Sequence, residues 1–334
     1  MIGRLLYLPY YAIRTPAKEF AKLMRYVVKK KGTSPVSLFA DILYSSVRYN
    51  ISFLDYFSFR FYAISSKERD EYMGSGAMYE FQLKMNPKKH REVLQNKITF
   101  LKKFEDLSGR KWTTIEAIQR NAEVANAFLS GPAGKVVLKY SRGQSGKQVS
   151  VCETSSLTPE TLIRKMREGS YDLMEEYIIQ HEALMSLSPS AVNTVRIVTQ
   201  FHNNQVIIVT CRLRISINNA VDNASVGGAV VPLHPDTGKV IGPGIYADIT
   251  KPDEFTHPVT GIDFIGFQVP FWSECIALVK QAAKRIPENR SIGWDVAITN
   301  EKPVLIEGNH NWHYLSLQMP EKKGYKNMLL QYLD

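Results

Sequence analysis

Cysteine is scarce in this chain. Cys152, Cys211 and Cys275 are the only three in 334 residues, widely spaced and with no CxxC pair. That argues against a disulfide framework or a zinc site and suits a reducing, cytoplasmic compartment. Long apolar runs are missing too, and no stretch approaches the length of a membrane span. The one leader-like segment, Met1 to Ala12, is broken by Pro9, interrupted by tyrosines and followed by no small-residue cleavage site. There is no internal repeat and no low-complexity tract. No strand-to-helix loop ends in Gly-Lys-Ser/Thr, so a Walker-type phosphate loop is absent. What remains is ordinary for a folded chain, with 44% apolar and 22% charged residues. The length holds two or three lobes, each with its own core.

The net charge is +10, and its placement matters more than its size. The first fifty residues carry nine basic side chains, Lys29, Lys30 and Lys31 among them, against Glu19 and Asp41. A segment of this kind suits an anionic membrane surface, an acidic polymer or nucleic acid, and equally a solvated basic helix.

Residues 1–90 read as a helical lobe. Phe20, Leu23, Met24, Val27 and Val28 recur at helical spacing, and residues 52–62 concentrate six aromatics in eleven positions. A packed core explains those aromatics better than a ligand platform. Composition shifts around Asn86-Pro87-Lys88-Lys89-His90. Strand patterns begin at Val136–Tyr140 and Lys147–Glu153, on either side of Ser141-Arg142-Gly143-Gln144-Ser145-Gly146. Thr158-Pro159-Glu160 predicts a capped helix to about Arg167. Further strands are expected at Tyr171–Ile179, Thr194–Phe201, Val206–Ile215, Ala229–Leu233 and Lys239–Ile241. A helix is expected over Phe271–Ile286, and a final hairpin at Ile292–Thr299 and Val304–Asn309.

That hairpin is the most informative feature. If Thr299 faces Pro303, then Asp295 faces Glu307 with both side chains on one face and Asn309 two residues along it. Two readings fit: a hard-oxygen site for Mg²⁺, or two acids on a solvated sheet face. The glycine loop also has two readings. It can fold over phosphates through backbone N–H groups, with Lys139, Arg142 and Lys147 adding charge, or it is an ordinary turn. Glu175-Glu176-Tyr177-Ile178 adds a carboxylate pair that closes an apolar strand. Cys152 and Cys211, on apolar strands, read as core residues. His310 and His313 read as pocket-lining or as ordinary loop histidines.

Together, Lys97 in Asn96-Lys97-Ile98-Thr99-Phe100, Lys139 before a glycine loop, Glu-Glu-Tyr-Ile, and an Asp…Glu-Gly-Asn ending resemble the ATP-grasp superfamily. Val192-Asn193-Thr194-Val195-Arg196, Val221-Asp222-Asn223 with Gly227-Gly228, and Gly293-Trp294-Asp295 more closely resemble its sugar-transfer-associated group. Proteins of that group are typically encoded among genes for surface polysaccharides. The resemblance covers about 91–320 and implies an α+β, ATP-grasp fold. Two subdomains, 91–180 and 181–334, would hold ATP between them, preceded by the helical lobe.

The same resemblance implies roles. Lys97 and Lys139 would contact phosphates, with Gly143, Gln144, Ser145 and Gly146 as the loop above them. Glu175, Glu176, Tyr177 and Ile178 would form the adenine strand, its backbone bonding the base edge at Glu176 and Ile178. His181 or Glu182 would take the ribose. Asp295, Glu307 and Asn309 would hold Mg²⁺. Arg196, Arg212 or Arg214 would stabilise the transferred phosphoryl group. Asn223, Gly227 and Gly228 would shape the acceptor side. Many relatives carry an arginine two residues before the first metal aspartate; here that residue is Gly293, so the arginine must come from another strand. The implied activity is a carboxylate–amine ligase working through an acyl phosphate on a cell-surface glycan or its precursor. Its partners would be small or glycan-linked carboxylates and amines, with peripheral contact to an anionic membrane and no nucleic acid. A kinase acting on a hydroxyl, or a basic glycan- or membrane-binding module with a vestigial nucleotide site, are the alternatives.

Overall fold

The computed structural model describes residue 5 and residues 7–143, 148–217 and 228–333. Gln144, Ser145, Gly146 and Lys147 of the glycine loop, and Val221, Asp222, Asn223 and Gly227, lie outside the described residues.

The first lobe is helical, as its periodicity requires. Helices run over Tyr7–Arg14, Ala17–Lys31, Pro35–Tyr49, Phe53–Ser58 and Ser75–Met85. Helix Ala17–Lys31 buries Leu23 and Val27, leaves its lysines outward and stops at Gly32, whose φ of 64° suits a residue without a Cβ. Ser34 caps the next helix, with Pro35 in its first turn. Ser52 and Asp55 form a capping box at Phe53–Ser58. The dense aromatics are core: Phe53, Tyr56, Phe57, Phe59 and Phe61 pack with Leu23, Val27 and Ile42.

Two antiparallel sheets follow. The first contains β1 (Trp112–Thr114), β2 (Lys135–Lys139), β3 (Val149–Glu153) and β4 (Leu173–Glu176), in the order β1-β4-β2-β3. Helices Ile115–Arg120, Ala122–Leu129 and Pro159–Glu168 cover one face, through Ile118, Phe128, Leu162 and Met166. Thr158 caps the last of these, as expected. The second sheet contains β5 (Thr194–His202), β6 (Gln205–Ile215), β7 (Ala229–Leu233), β8 (Ser291–Ile298) and β9 (Pro303–Asn309), in the order β7-β6-β5-β8-β9. Helix Trp272–Lys284 packs on its apolar face against Val195, Ile197, Leu213 and Trp294.

Three expectations are corrected. The strand proposed over 171–179 ends at Glu176, because β1 pairs only as far as Trp112 opposite Glu175 and the Glu176 amide closes on Lys111 O at 3.0 Å. Lys239–Ile241 forms only isolated bridges, Lys239 to Gln268 and Val240 to Leu233. The last hairpin turns one residue differently, pairing Ile298 with Pro303, and a bulge between Asp295 and Val296 restores the expected Asp295–Glu307 pairing.

Candidate active site

The polar face of the second sheet looks across to the first sheet, and between them lies a cavity of about 1290 Å³. Its lining includes Lys97, Val137, Lys139 and Ile178 on one side, with Arg196, Arg214, Asp295, Glu307 and Asn309 on the other.

Asp295 sits on β8, between β5 and the edge strand β9, and is only 3% exposed. Its cross-strand partner on β5 is Arg196 and on β9 is Glu307. The Arg196 guanidinium grips the carboxylate in two-pronged fashion, with Nη2 to Oδ2 at 2.8 Å, and Arg214 Nη1 adds a bond to the same Oδ2 at 2.9 Å. Burial alone would raise the Asp295 carboxyl, but the two adjacent arginine charges hold it well below the usual carboxylate range. Glu307 moves the other way. Burial and then the charge of Asp295 beside it push its carboxyl up. Asn309 Nδ2 donates to Glu307 Oε1 at 3.1 Å, which leaves the amide oxygen for another partner.

A second ionic cluster holds the opposite wall. Glu175 is 2% exposed, and its Oε2 accepts from Lys139 Nζ at 2.7 Å and from Arg110 Nε at 2.6 Å. Burial would raise this carboxyl, yet those two cations bring it down to about 2. Arg110 also donates to Leu305 O at 2.8 Å and Ile306 O at 3.3 Å on β9, so it ties the two sheets together. Sequence reasoning missed Arg110. Its signal was slight, a charged pair after Ser108-Gly109 leading into a strand. Lys97 opens helix Lys97–Lys103, capped by Asn96, and its ammonium binds Gly143 O at the start of the glycine loop. Burial lowers the Lys97 pKa; Glu307 opposes that effect and Lys139 adds to it.

Not every expected residue joins this group. Glu175, Glu176, Tyr177 and Ile178 all line the cavity, with the Glu175 side chain committed to Arg110 and Lys139 and the Glu176 amide donating to Lys111 O. His181 and Glu182 do not: His181 caps the following helix through Ala183 N at 3.1 Å, and Glu182 is exposed. Arg212 reaches the lining, yet its guanidinium is held by Ser316 O, Leu317 O and Glu321, away from the acid pair. Gly228 is buried just before β7. His313 is exposed to the cavity but deep within it; that enclosure and the charge of Arg196 lower its pKa. His310 is buried, which brings it down to about 4.

Among the described residues, no group of three His, Cys, Asp or Glu side chains is placed to hold a metal. The oxygen set is two carboxylates and an amide, which suits Mg²⁺ completed by substrate oxygens and water. The raised Glu307 fits such an ion, because two adjacent buried carboxylates repel until a cation lies between them.

Two antiparallel sheets closing on a cleft, with lysines on one wall and paired acids and arginines on the other, define the ATP-grasp class of fold. The chain belongs to the sugar-transfer associated ATP-grasp family, whose family model matches residues 77–333. No curated protein matches the sequence. Among solved structures, the chain is similar to an N5-carboxyaminoimidazole ribonucleotide synthetase in its ADP complex, at 15% identity and a TM-score of 0.42, covering 66% of this chain and 45% of that one. It is similar to the L-amino acid ligase of Bacillus licheniformis, at 10% identity and a TM-score of 0.46, covering 73% and 48%. It is also similar to D-alanyl-alanine synthetase A of Vibrio cholerae O1, at 12% identity and a TM-score of 0.43, covering 72% and 64%. The chain thus spans less than two thirds of the length of each of these three proteins.

Proposed function

We propose that this protein is an ATP-dependent carboxylate–amine ligase that modifies a cell-surface polysaccharide or its precursor. The observation that carries the reading is the Asp295–Glu307 pair, with Arg196 and Arg214 both bonded to Asp295, on one wall of a cavity whose other wall presents Lys97 and Lys139. Lys97 and Lys139 bind and orient the phosphates as point charges. Asp295, Glu307 and Asn309 hold Mg²⁺, which when bound neutralises charge on the transferring phosphoryl group. Arg196 and Arg214, held beside the metal site by Asp295, stabilise that same charge.

A substrate carboxylate oxygen takes the γ-phosphoryl of ATP, giving an acyl phosphate and ADP. An amine then attacks the acyl carbon; the C–N bond forms, the C–O bond to phosphate breaks, phosphate departs and the amine loses a proton. The two sheets keep water from the acyl phosphate. The deciding measurement is release of ADP and inorganic phosphate, which should require a carboxylate and an amine together. ADP release with the phosphoryl group retained on a hydroxyl product would replace the ligase by a kinase.

We also infer peripheral contact with an anionic membrane surface. Ile13 and Val36 are 85% and 79% exposed, on the helices flanking the one that ends in Lys29, Lys30 and Lys31. No described helix is long and apolar enough to cross a membrane.

A further inference from the structure

The family match begins at residue 77, yet part of the cavity wall is built by residues before it. Helix Ala17–Lys31 contributes Lys18 and Lys22, four residues apart and therefore on one helical face, while the half-buried Leu54 adds an apolar floor. Opposite them lie Tyr246, Asp248 and Lys251, in the irregular chain after β7.

Polar contacts hold the lobe in this position. Lys22 Nζ meets Asp248 Oδ2 at 2.5 Å, Arg60 meets Asp253 at 3.4 Å, and Tyr314 donates to Asp55 Oδ1 at 2.6 Å from the segment that follows the metal strand. Two cations in the wall are not used up by this clasp. Lys18 is exposed with no carboxylate partner among the described residues, and Lys251 rests 4.5 Å over the Tyr246 ring, also without one. The whole cavity is larger than the ~1,000 Å³ upper range of a single small-molecule site, so it has room for a second substrate beside a nucleotide. Its lining carries nine lysines and arginines against six carboxylates, an excess that favours an anionic occupant.

We propose that the N-terminal lobe forms the acceptor subsite and selects an acidic saccharide, with Lys18 and Lys251 contacting its anionic group and the half-buried Leu54 packing on the apolar face of its ring. The inference rests on the ligase reading above. The anion is a carboxylate or a phosphate, and separate probes distinguish the two.

The test is calorimetry on the full chain with trigalacturonate, glucose 1-phosphate and neutral maltotriose, each with and without Mg-ATP. One acidic probe should bind at least about tenfold more tightly than maltotriose, and the Lys18→Glu/Lys251→Glu variant should lose on the order of tenfold for that probe. Mg-ATP affinity should stay within about twofold, because neither residue touches the phosphate wall. Lys18→Gln/Lys251→Gln serves as the milder variant if the charge reversal lowers thermal stability. Acidic probes that bind no better than maltotriose, or bind both variants as they bind the wild type, overturn the proposal. Loss of Mg-ATP binding in the wild type, with acidic binding intact, would sink the nucleotide reading and leave the anionic subsite standing.

Discussion

Gly293 and Arg196 occupy adjacent strands in a relationship that only a residue without a side chain permits. A Cβ at position 293 would lie 3.2 Å from Arg196 Cδ and 2.6 Å from Trp312 Cβ. The empty position leaves room for the Arg196 side chain to lie beside β8 and grip Asp295, its cross-strand partner. Arg196 thus reaches Asp295 from β5, beside a position two residues earlier on β8 that carries no side chain.

Gly293→Ala should therefore act on Arg196 rather than on the backbone, since Gly293 lies in regular strand. Trp312 and Arg196 must shift by several tenths of an ångström, at a cost of about 1–3 kcal/mol of stability. Turnover should fall on the order of tenfold or more while Mg-ATP affinity changes little. Turnover at the wild-type level would show that the Arg196 position is immaterial.

Glu307→Gln tests the acid pair by a measure besides activity. The folded-state pKa of Glu307 is raised, so its contribution to stability is present below the unfolded value of about 4.3 and is lost as pH rises through the folded value. At pH 7.5 in chelator, the charged group is a net cost. The variant should then melt a few degrees above the wild type, with the gap closing near pH 4. Mg²⁺ should raise the melting temperature of the wild type and leave the variant almost unmoved. Turnover should fall about a hundredfold or more. An unchanged melting temperature in chelator would mean that Glu307 is not under electrostatic strain.

Arg110 and Lys139 converge on one oxygen of Glu175, so their substitutions should not add. Arg110→Ala leaves a buried carboxylate with one cation and frees two carbonyls of β9; we expect about 3 kcal/mol of lost stability. Lys139→Met should instead weaken Mg-ATP binding by roughly 1.5–3 kcal/mol, since its ammonium faces the cavity. Additive effects on denaturant unfolding in the double variant would refute the shared-oxygen geometry.

Vesicle co-sedimentation tests the basic segment. Binding should require anionic lipid and fade as salt rises, with each lysine near the surface contributing about 1 kcal/mol. Lys29→Glu/Lys30→Glu/Lys31→Glu should abolish it without altering Mg-ATP affinity, because these side chains point away from the cavity. Wild-type protein that ignores anionic vesicles at low salt would reduce the segment to a solvated face.

Periodicity and turn chemistry determined most of the elements on their own, because they act within a few residues. The alternation of β5, β6, β8 and β9, the Thr158-Pro159 start and the helical first lobe all follow from local pattern. The Asp295–Glu307 pairing was legible too, although the structure arrives at it through a tighter turn and a bulge that no local rule specifies. The partners of each charge were settled only by tertiary structure. Three arginines looked equivalent on β5 and β6; folding gives Asp295 to Arg196 and Arg214, and gives Arg212 to the C-terminal segment more than a hundred residues away. The Glu175 side chain carries no local sign of its partner, which is the distant Arg110. The wall built by Lys18 and Lys22 was equally invisible, since nothing in a basic helix states which surface it will face. Ion pairs join residues by distance in space, and a linear pattern carries no record of which buried carboxylate a cation will reach.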